Sequence, residues 1–375
     1  MAAVKIGLIG YGTVGSAVGR TIRSHQENLQ AIFGKEVQVA GVLVREKQKY
    51  EQQVTDALLT DDAAELFSIS DLDVIIEASV GIEPAFSYLT EAIHHGCHII
   101  TANKELIASR GAELKRLAKE KGVRLEYEAA VAGGVPVIGT LKQLLHINHV
   151  VKVEAILNGT SNFILTEMSD KGLPFEEALQ LAQEAGFAEA DPANDVDGWD
   201  AFYKLMVLSD LLFEDQPDWE KVTRKGIRSV SSQDIQAAAK QGWKIKHIAT
   251  LENAGGEVTA SVEPVILTAA HPLYSVDGVD NAVCVEGDLV GKLKLQGPGA
   301  GALPTASAIV EDLANLVHQR KEIEVKRVIK FTEKREAVPF VHLPSGETIL
   351  LHRENVESDS HYYRVAARTP AKAEA

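Results

Sequence analysis

The chain opens with a short apolar strand that runs directly into a glycine triplet. Val4 to Ile9 reads VKIGLI, the triplet from Gly10 to Gly15 has the pattern G-x-G-x-x-G, and a helix-compatible run from Thr13 to Gln26 follows. In the dinucleotide-binding fold the first glycine makes a tight turn, the second lets the backbone approach a pyrophosphate, and the third allows close helix packing. The flanking strand and helix therefore favour dinucleotide binding over an ordinary turn. The residues expected at the pyrophosphate are Gly10, Gly12, Thr13, Val14 and Gly15.

Length and charge narrow the class of protein. The chain has 375 residues, 45% of them hydrophobic, so two domains with sizeable cores are expected. A net charge of −15 argues against a nucleic-acid partner. No apolar run reaches the roughly 18 residues that span a bilayer, and no signal-like segment precedes the first strand, so no membrane partner and a cytoplasmic location are expected. Cys97 and Cys284 are too few and too far apart for a disulfide framework or a metal cluster.

The first third of the chain alternates apolar strands with amphipathic stretches, which predicts a Rossmann-type doubly wound parallel sheet. The expected strands are Val4 to Ile9, Val37 to Val44, Val74 to Ala78, His98 to Thr101 and Val123 to Tyr127. The expected helices are Glu83 to His95 and Ser109 to Lys121, the second with Ser109 as its N-cap. No strand is placed in the polar stretch from Glu46 to Asp71.

Beyond Val135 the alternation becomes irregular, which predicts a second domain of α+β type. We expect a nucleotide-binding domain at 1–135, a second domain at 136–302, a helix at about 303–320 that completes the first domain, and an extension at 321–375. The expected strands are Lys244 to Leu251, Glu257 to Leu267, Ala282 to Val285 and Leu289 to Leu295. The expected helices are Ser161 to Ser169, Pro174 to Ala185, Trp199 to Leu212 and Thr305 to Val317.

An acidic segment, Gly186 to Lys204, stands out in the second domain. Its carboxylates lie between Gly and Pro residues, which predicts a loop rather than a helix before Trp199. The negative charge of this loop predicts that it binds a cation. Asp200 and Lys204 are four residues apart on the helix that follows, so the carboxylate faces the ammonium group. A surface pair of this kind contributes only about 0.3 to 0.5 kcal/mol. The adjacent acidic loop favours a functional pair instead.

A third signal is Lys104, which follows the strand His98 to Thr101 within the sequence TANK. Open α/β sheets bind ligands at the carboxyl ends of their strands. A lysine at this position could reach a cofactor or a substrate carboxylate, and an exposed lysine near a helix cap is the alternative.

Six segments, in this order, resemble the homoserine dehydrogenase family. They are Gly10 to Gly15, Thr101 to Glu105 (TANKE), Tyr127 to Pro136 (YEAAVAGGVP), Asn158 to Asn162 (NGTSN), Gly186 to Lys204, and Gly297 to Ser307 (GPGAGALPTAS). The resemblance extends from residue 1 to about residue 320. It implies reversible reduction of L-aspartate 4-semialdehyde to L-homoserine with a nicotinamide cofactor, for threonine and methionine synthesis. It also implies a Rossmann-type domain with an α+β domain for substrate binding and dimerisation.

The resemblance also assigns roles to residues. Asp200 and Lys204 match the catalytic pair, and Lys204 could give a proton to the oxygen that becomes alkoxide-like as hydride arrives. Lys104 could supply that proton instead or polarise the oxygen, and the sequence does not separate the two. The implied substrate-binding residues are Lys104, Thr160, Glu189 and Asp195, the two acidic ones pairing with the substrate ammonium. The implied cofactor-binding residues beyond the glycine triplet are Arg45, Thr101, Lys104 and Gly301.

Similarity to the family further implies a monovalent cation, usually sodium, on the loop after Tyr127. Its oxygen ligands would be the Glu128 side chain and the carbonyl groups of Val131, Gly133 and Val135. The chain departs from the family at two positions. Family members often have Ala where this chain has Gly133, and some have Tyr where it has Phe187.

The end of the second strand bears on the choice of cofactor. An acidic residue there binds the ribose 2′-hydroxyl of NAD, whereas a basic one accommodates the 2′-phosphate of NADP. Arg45 comes first after the strand and Glu46 follows it. This order favours NADP(H), and the acidic neighbour leaves NAD(H) as the alternative.

The C-terminal end differs from that of many bacterial members, which continue into a regulatory domain of ligand-binding type. Tyr362 to Val365 resembles the first strand of that domain, and about ten residues follow it. We therefore expect no threonine feedback of that kind, together with a homodimer or homotetramer that pairs through the strands Lys244 to Leu295.

Two other functions fit parts of the sequence. A semialdehyde-phosphate enzyme would need a nucleophilic cysteine, but Cys97 and Cys284 lie in apolar segments typical of a core. A non-catalytic NADP(H)-sensing regulator on the same fold would be expected to lose the catalytic lysine or its acidic partners. Both are present, which favours the enzyme.

Overall fold

A computed structural model of the chain describes residues 3–254 and 256–317, and the backbone of 340–342 and 348–350. Its contacts divide the chain into one unit of residues 1–143 and 300–327 and a second unit of residues 144–299 and 328–375. The boundaries expected from the sequence are 135/136 and 302/303.

The first unit contains a six-stranded sheet in which every neighbouring pair of strands is parallel. Its strands are β1 (Val4–Ile9), β2 (Val37–Leu43), β3 (Leu58–Thr60), β4 (Val74–Glu77), β5 (His98–Thr101) and β6 (Leu125–Glu126). Its helices are α1 (Thr13–Ser24), α2 (Gln26–Phe33), α3 (Ala63–Phe67), α4 (Ala85–His94), α5 (Lys104–Lys121), α6 (Val137–Leu144, which ends at the unit boundary) and α12 (Ala302–Asn315). The strand order β3-β2-β1-β4-β5-β6 reverses direction between β1 and β4. Ligands of such sheets bind outside the carboxyl ends of the strands at this point.

The core of this unit explains why a late helix belongs to it. Ile309 and Leu313 of α12 share one buried cluster with Val18 and Ile22 of α1. The helix expected at about 303–320 is α12, and it supplies apolar surface to the first unit because Ile309 and Leu313, four residues apart, lie on one helical face.

The predicted elements of this unit are confirmed apart from a few boundaries. β1 and β5 have the expected bounds, and β6 is shorter than expected. The predicted start of α5 was wrong, because the helix begins at Lys104 and Ser109 lies inside it. Asn103 is the true N-cap, and its side-chain oxygen accepts a hydrogen bond from the Leu106 amide at 3.1 Å. The unplaced strand is β3, which has only three residues.

The second unit contains a six-stranded sheet of order β12-β11-β7-β9-β10-β8. Its strands are β7 (Val150–Ile156), β8 (Thr223–Arg224), β9 (Lys244–Ala254), β10 (Glu257–Leu267), β11 (Asp280–Gly287) and β12 (Gly291–Pro298). Its helices are α7 (Gly159–Lys171), α8 (Phe175–Glu184), α9 (Ala193–Val196), α10 (Trp199–Phe213) and α11 (Ser232–Ala239). All pairs are antiparallel except β10 with β8. The mixed sheet confirms the expected change of architecture.

The predictions for the second unit missed three elements and needed correction elsewhere. β7, β8 and α11 are absent from the predicted strands and helices. Leu289 lies in the turn between β11 and β12 rather than in a strand, because β12 begins at Gly291. The acidic segment is not wholly a loop, because residues 193–196 form the single helical turn α9.

At the C-terminal end, β13 (Phe340–His342) pairs antiparallel with β14 (Thr348–Leu350). The segment Tyr362 to Val365, compared above with a regulatory domain, lies outside the described residues. Within the part of the chain that is described, no helix combines the length and apolar character needed to cross a membrane.

Candidate active site

The glycine triplet at the end of β1 has the geometry that a pyrophosphate requires. Gly10 has a φ of +88°, and a Cβ there would lie 2.8 Å from the Ala78 carbonyl oxygen. A Cβ on Gly15 would lie 2.1 Å from the Gly10 carbonyl oxygen, whereas one on Gly12 would meet nothing within 4 Å. The first and third glycines are therefore needed for the turn and its packing, and the second leaves open space over the backbone.

The first turn of α1 completes this anion site. No side chain caps the N-terminus of α1 at Gly12, so the amides around Thr13 and Val14 are suited to a phosphate. Gly301, another expected cofactor residue, likewise precedes a helix without a side-chain cap and has a φ of +121°. These observations fit a dinucleotide.

A group of basic residues follows β2. Arg45 is exposed two residues past the end of the strand, and Lys47 and Lys49 lie in the 3₁₀ turn that comes next. Glu46 is exposed between Arg45 and that turn. The group therefore adds positive charge at the strand end where the adenosine ribose of a dinucleotide binds.

Lys104 is fixed by the loop that precedes it. It is the first residue of α5 and is half-buried at the carboxyl end of β5. Thr101, the last residue of β5, donates through Oγ1 to Glu77 at 2.5 Å and accepts the Asn103 amide at 3.0 Å. Glu77, a fully buried carboxylate at the end of β4, is not among the residues predicted from the sequence. An acidic residue at the end of an otherwise apolar strand could have indicated it.

In the second unit Asp200 and Lys204 form the ion pair that their spacing predicts. Lys204 Nζ lies 2.7 Å from Asp200 Oδ2, and the side chains are only 12% and 9% exposed. Nζ also donates to the Leu157 carbonyl oxygen at 2.7 Å. The pair is therefore oriented and largely out of water, unlike the surface pairs to which the small energies above apply. Two of the three ammonium donors are used by these contacts, which leaves one for a ligand.

Asn158 joins this pair to the acidic segment. Its Nδ2 donates to Asp200 Oδ2 at 2.9 Å and to Asp195 Oδ1 at 2.7 Å. Its Oδ1 accepts the Ser161 amide at 2.7 Å and so caps α7. The NH₂ group and the carbonyl oxygen of the Asn158 side chain are thus both hydrogen-bonded. This fixes Asp195 and Asp200 relative to each other. Asn158 lies in the NGTSN motif but has no role among the predicted site residues, although its place before a helix is typical of a cap.

The remaining predicted substrate residues lie around the same part of the unit. Thr160, in the first turn of α7, donates through Oγ1 to the Phe187 carbonyl oxygen at 2.7 Å. Glu189 is exposed on the loop between α8 and α9, and its carbonyl oxygen accepts from Gln183 at 3.1 Å. Asp195 thus belongs to the hydrogen-bond network of Asn158, whereas Thr160 links the first turn of α7 to the loop at Phe187. The Glu189 carboxylate is not a described member of that network.

The expected cation ligands lie in a buried segment of the first unit. The two carboxylate oxygens of Glu128 accept the Ile138 and Gly139 amides at 2.7 and 2.6 Å and so cap α6. Burial raises the pKa of Glu128, and these hydrogen bonds oppose that rise. The other three expected ligands follow Glu128 within seven residues of sequence and are also buried; they are Val131, Gly133 and Val135. Among the described residues no group of three or more His, Cys, Asp or Glu side chains could hold a metal. Sodium stays a prediction that rests on carbonyl oxygens and one carboxylate.

Both cysteines are core residues. Cys97 and Cys284 are buried, and burial raises the pKa of their thiols to about 11 and about 12. A thiol nucleophile works as the thiolate, which such pKa values disfavour near neutral pH. The expectation that neither is a catalytic nucleophile agrees with these environments.

Comparison with known proteins covers both units. A family model described as "Homoserine dehydrogenase, NAD binding domain" matches residues 10–128, and one described as "Homoserine dehydrogenase" matches residues 136–314. The homoserine dehydrogenase of Bacillus subtilis is 41% identical over 314 residues, which cover 84% of this chain and 72% of the relative. That of Neisseria gonorrhoeae is 36% identical over 371 residues, which cover 98% and 83%.

Solved structures agree with these relatives. A homoserine dehydrogenase from Thiobacillus denitrificans has a TM-score of 0.82 at 37% identity, covering 87% of this chain and 77% of that one. A hyperthermophilic archaeal homoserine dehydrogenase in complex with NADPH has a TM-score of 0.72 at 28% identity, covering 84% and 98%. The chain therefore belongs to the homoserine dehydrogenase family of NAD(P)-dependent oxidoreductases.

Proposed function

We propose that this protein catalyses the reversible reduction of L-aspartate 4-semialdehyde to L-homoserine with a nicotinamide cofactor. The observation that carries the proposal is the buried Lys204–Asp200 pair, held by Asn158 and the Leu157 carbonyl in a chain of this family. A regulator that only senses NADP(H) would have no need for an oriented ammonium donor.

The ammonium group of Lys204 suits the proton transfer that the reaction needs. The cofactor, when bound, supplies the hydride that the aldehyde carbon accepts. Lys204 Nζ then gives one proton to the aldehyde oxygen, which becomes the hydroxyl group of homoserine. Asp200 Oδ2, 2.7 Å from Nζ, holds the ammonium group in orientation before this transfer. Lys104 is the alternative donor, or it polarises the same oxygen.

The acidic residues of the second unit suit the other end of the substrate. Glu189 and Asp195 pair with the α-ammonium group, and Thr160 offers a hydroxyl group in the first turn of α7. The hydrogen bond from Asn158 to Asp195 supports this assignment for Asp195, because it orients the carboxylate before substrate arrives.

The finer features of the proposal concern cofactor, cation and assembly. NADP(H) is the preferred cofactor because Arg45 and the two lysines after it suit a 2′-phosphate. Sodium, held by Glu128 and the carbonyl groups of Val131, Gly133 and Val135, follows only from the family resemblance. A homodimer or homotetramer likewise follows from the family resemblance, and a cytoplasmic location is a further part of the proposal.

The activity is tested by the loss of NADPH absorbance with aspartate 4-semialdehyde. We expect the wild type to turn over and Lys204→Ala to lose about 10² to 10⁴-fold in kcat, the usual contribution of a general acid. The Kd for NADPH should hardly change. Lys171→Ala is a matched control, because Lys171 forms an i,i+4 pair with Glu167 on α7 but is 57% exposed.

Two outcomes would change this picture. A protein that binds NADPH without any turnover would be a sensor rather than an enzyme. Near-normal kcat in Lys204→Ala, with a large loss in Lys104→Ala, would make Lys104 the proton donor.

A further inference from the structure

Glu77 is a carboxylic acid at a buried position of the sheet where packing alone would favour an apolar residue. It ends β4 after Val74, Ile75 and Ile76, all of which are buried and apolar, and it is itself 0% exposed. Burial raises the pKa of its carboxyl group, against hydrogen bonds that lower it. A buried carboxylate costs free energy that an apolar residue of similar size would not.

The hydrogen bonds of Glu77 connect two loops at the carboxyl edge of the sheet. Oε1 accepts the Ser79 amide at 2.8 Å and the Ser79 hydroxyl at 2.5 Å. Oε2 accepts the Thr101 hydroxyl at 2.5 Å. One carboxylate thus holds the loop after β4 and the end of β5, two strands that are neighbours in the sheet.

A second link runs from the same network to the start of α5. Thr101 Oγ1 accepts the Asn103 amide, and Asn103 Nδ2 donates to the Gly81 carbonyl oxygen at 2.8 Å. The residue after Asn103 is Lys104. Between Ser79 and Gly81 the loop presents Val80, whose side chain is 77% exposed. The network therefore fixes an exposed apolar residue and a lysine at the edge where ligands of such sheets bind.

We propose that Glu77 is a positioning residue of the reaction, which holds the Ser79–Gly81 loop and the first turn of α5 so that Lys104 is placed for its role with the substrate. This inference rests on the proposed function. Glu77 acts through Thr101 and Asn103 and does not touch the reacting atoms. The free energy lost by burying the Glu77 carboxylate is then offset in function, because the residues at the carboxyl edge of the sheet are held in place before the substrate binds.

The central experiment is a double-mutant cycle between Glu77 and Lys104, after turnover by the wild type has been established. Glu77→Gln keeps the size of the side chain but accepts on one side only, so an NH₂ group faces either the Thr101 hydroxyl or the amide and hydroxyl of Ser79. We expect kcat to fall about 10- to 100-fold, as misplacement of reacting groups can cause. In a Lys104→Ala background the same change should have little further effect, because the two residues act through one another.

Two further measurements separate positioning from a general loss of structure. The Kd for NADPH, from fluorescence titration, should change by a smaller factor than kcat, since Thr101 and Lys104 are also expected to contact the cofactor but the main loss is expected in kcat. The unfolding midpoint should be retained or raised, because a buried carboxylate is removed. Glu65→Gln is the matched control, because Glu65 accepts a threonine hydroxyl, that of Thr60, at 2.5 Å beside the outer strand β3. Its kcat should equal that of the wild type.

The inference is overturned if Glu77→Gln keeps kcat within about twofold of the wild type, or if it loses as much activity without Lys104 as with it. If Glu77→Gln does not fold, Ser79→Ala replaces it in the cycle. Removal of that one hydroxyl should lower kcat about three- to tenfold, again only when Lys104 is present. A wild type without turnover would refute the proposed function, whereas turnover with an unaffected Glu77 variant would refute this inference alone.

Discussion

Single side chains at the end of β2 are predicted to set the cofactor preference. Arg45 is exposed there, as expected of a residue whose guanidinium group binds the phosphate of a ligand. Its neighbour Glu46 would serve the ribose hydroxyl of NAD(H) instead. The two readings assign the selectivity to adjacent residues of opposite charge.

Replacement of these residues separates the readings. Arg45→Ala should weaken NADPH binding about tenfold, the value of one charge-assisted hydrogen bond, and should leave NADH binding almost unchanged. Glu46→Ala should weaken the binding of neither cofactor. Titration of both variants with both cofactors checks this. An equal loss of NADPH and NADH in Arg45→Ala would show that Arg45 does not contact the 2′-phosphate.

At the scale of elements, the glycines of the β1–α1 connection have different structural roles. The third glycine has no room for a Cβ, which would approach the Gly10 carbonyl oxygen to 2.1 Å, whereas the second has open space around it. Packing of the turn thus depends on Gly15, and approach of a ligand depends on Gly12.

A pair of alanine variants tests this division. Gly15→Ala should destabilise the protein, which thermal unfolding without cofactor would reveal, because the added methyl group meets backbone. Gly12→Ala should unfold at the wild-type temperature and bind NADPH about tenfold or more weakly, since its Cβ occupies space needed by the pyrophosphate. Unfolding of both variants at the same lowered temperature would contradict the assignment.

At the scale of the whole molecule, His247 makes stability depend on pH. This residue of β9 is buried, and its Nε2 lies 2.9 Å from the Lys225 carbonyl oxygen, which can only accept a hydrogen bond. Burial lowers the pKa of His247 from 6.5 to about 4, and the Lys225 hydrogen bond opposes that shift. The folded protein therefore holds this ring neutral where the unfolded chain binds a proton.

The free energy of unfolding should consequently fall as pH drops from about 6.5 to about 4, by up to about 3 kcal/mol from this residue. His247→Gln can still donate to the Lys225 carbonyl but cannot take up the proton. Its unfolding free energy should therefore fall less steeply over this range in urea titrations. His94→Gln, at an exposed position of α4, is the control and should follow the wild type. Parallel curves for wild type and His247→Gln would refute the prediction.

The sequence was sufficient for features that depend on neighbouring residues. β1, β5 and β10 have the predicted bounds, and Asp200 and Lys204 pair as their spacing on one helix predicts. These features follow from the fixed periods of strand and helix and from the conformations that glycine allows. The short β3 carries too few residues for a period to show, so no strand could be placed there.

Other features were settled only by the folded chain. Both Asn103 and Ser109 are good N-caps, and the choice fell to Asn103, which is held by Gly81 across 22 residues of sequence. Asn158 binds Asp195 and Asp200 across 37 and 42 residues, and Glu77 binds Thr101 across 24. Local sequence fixes the direction of a side chain within its own element. Which distant polar groups meet is decided by burial of the strands and helices that carry them, since only the folded chain brings their ends together.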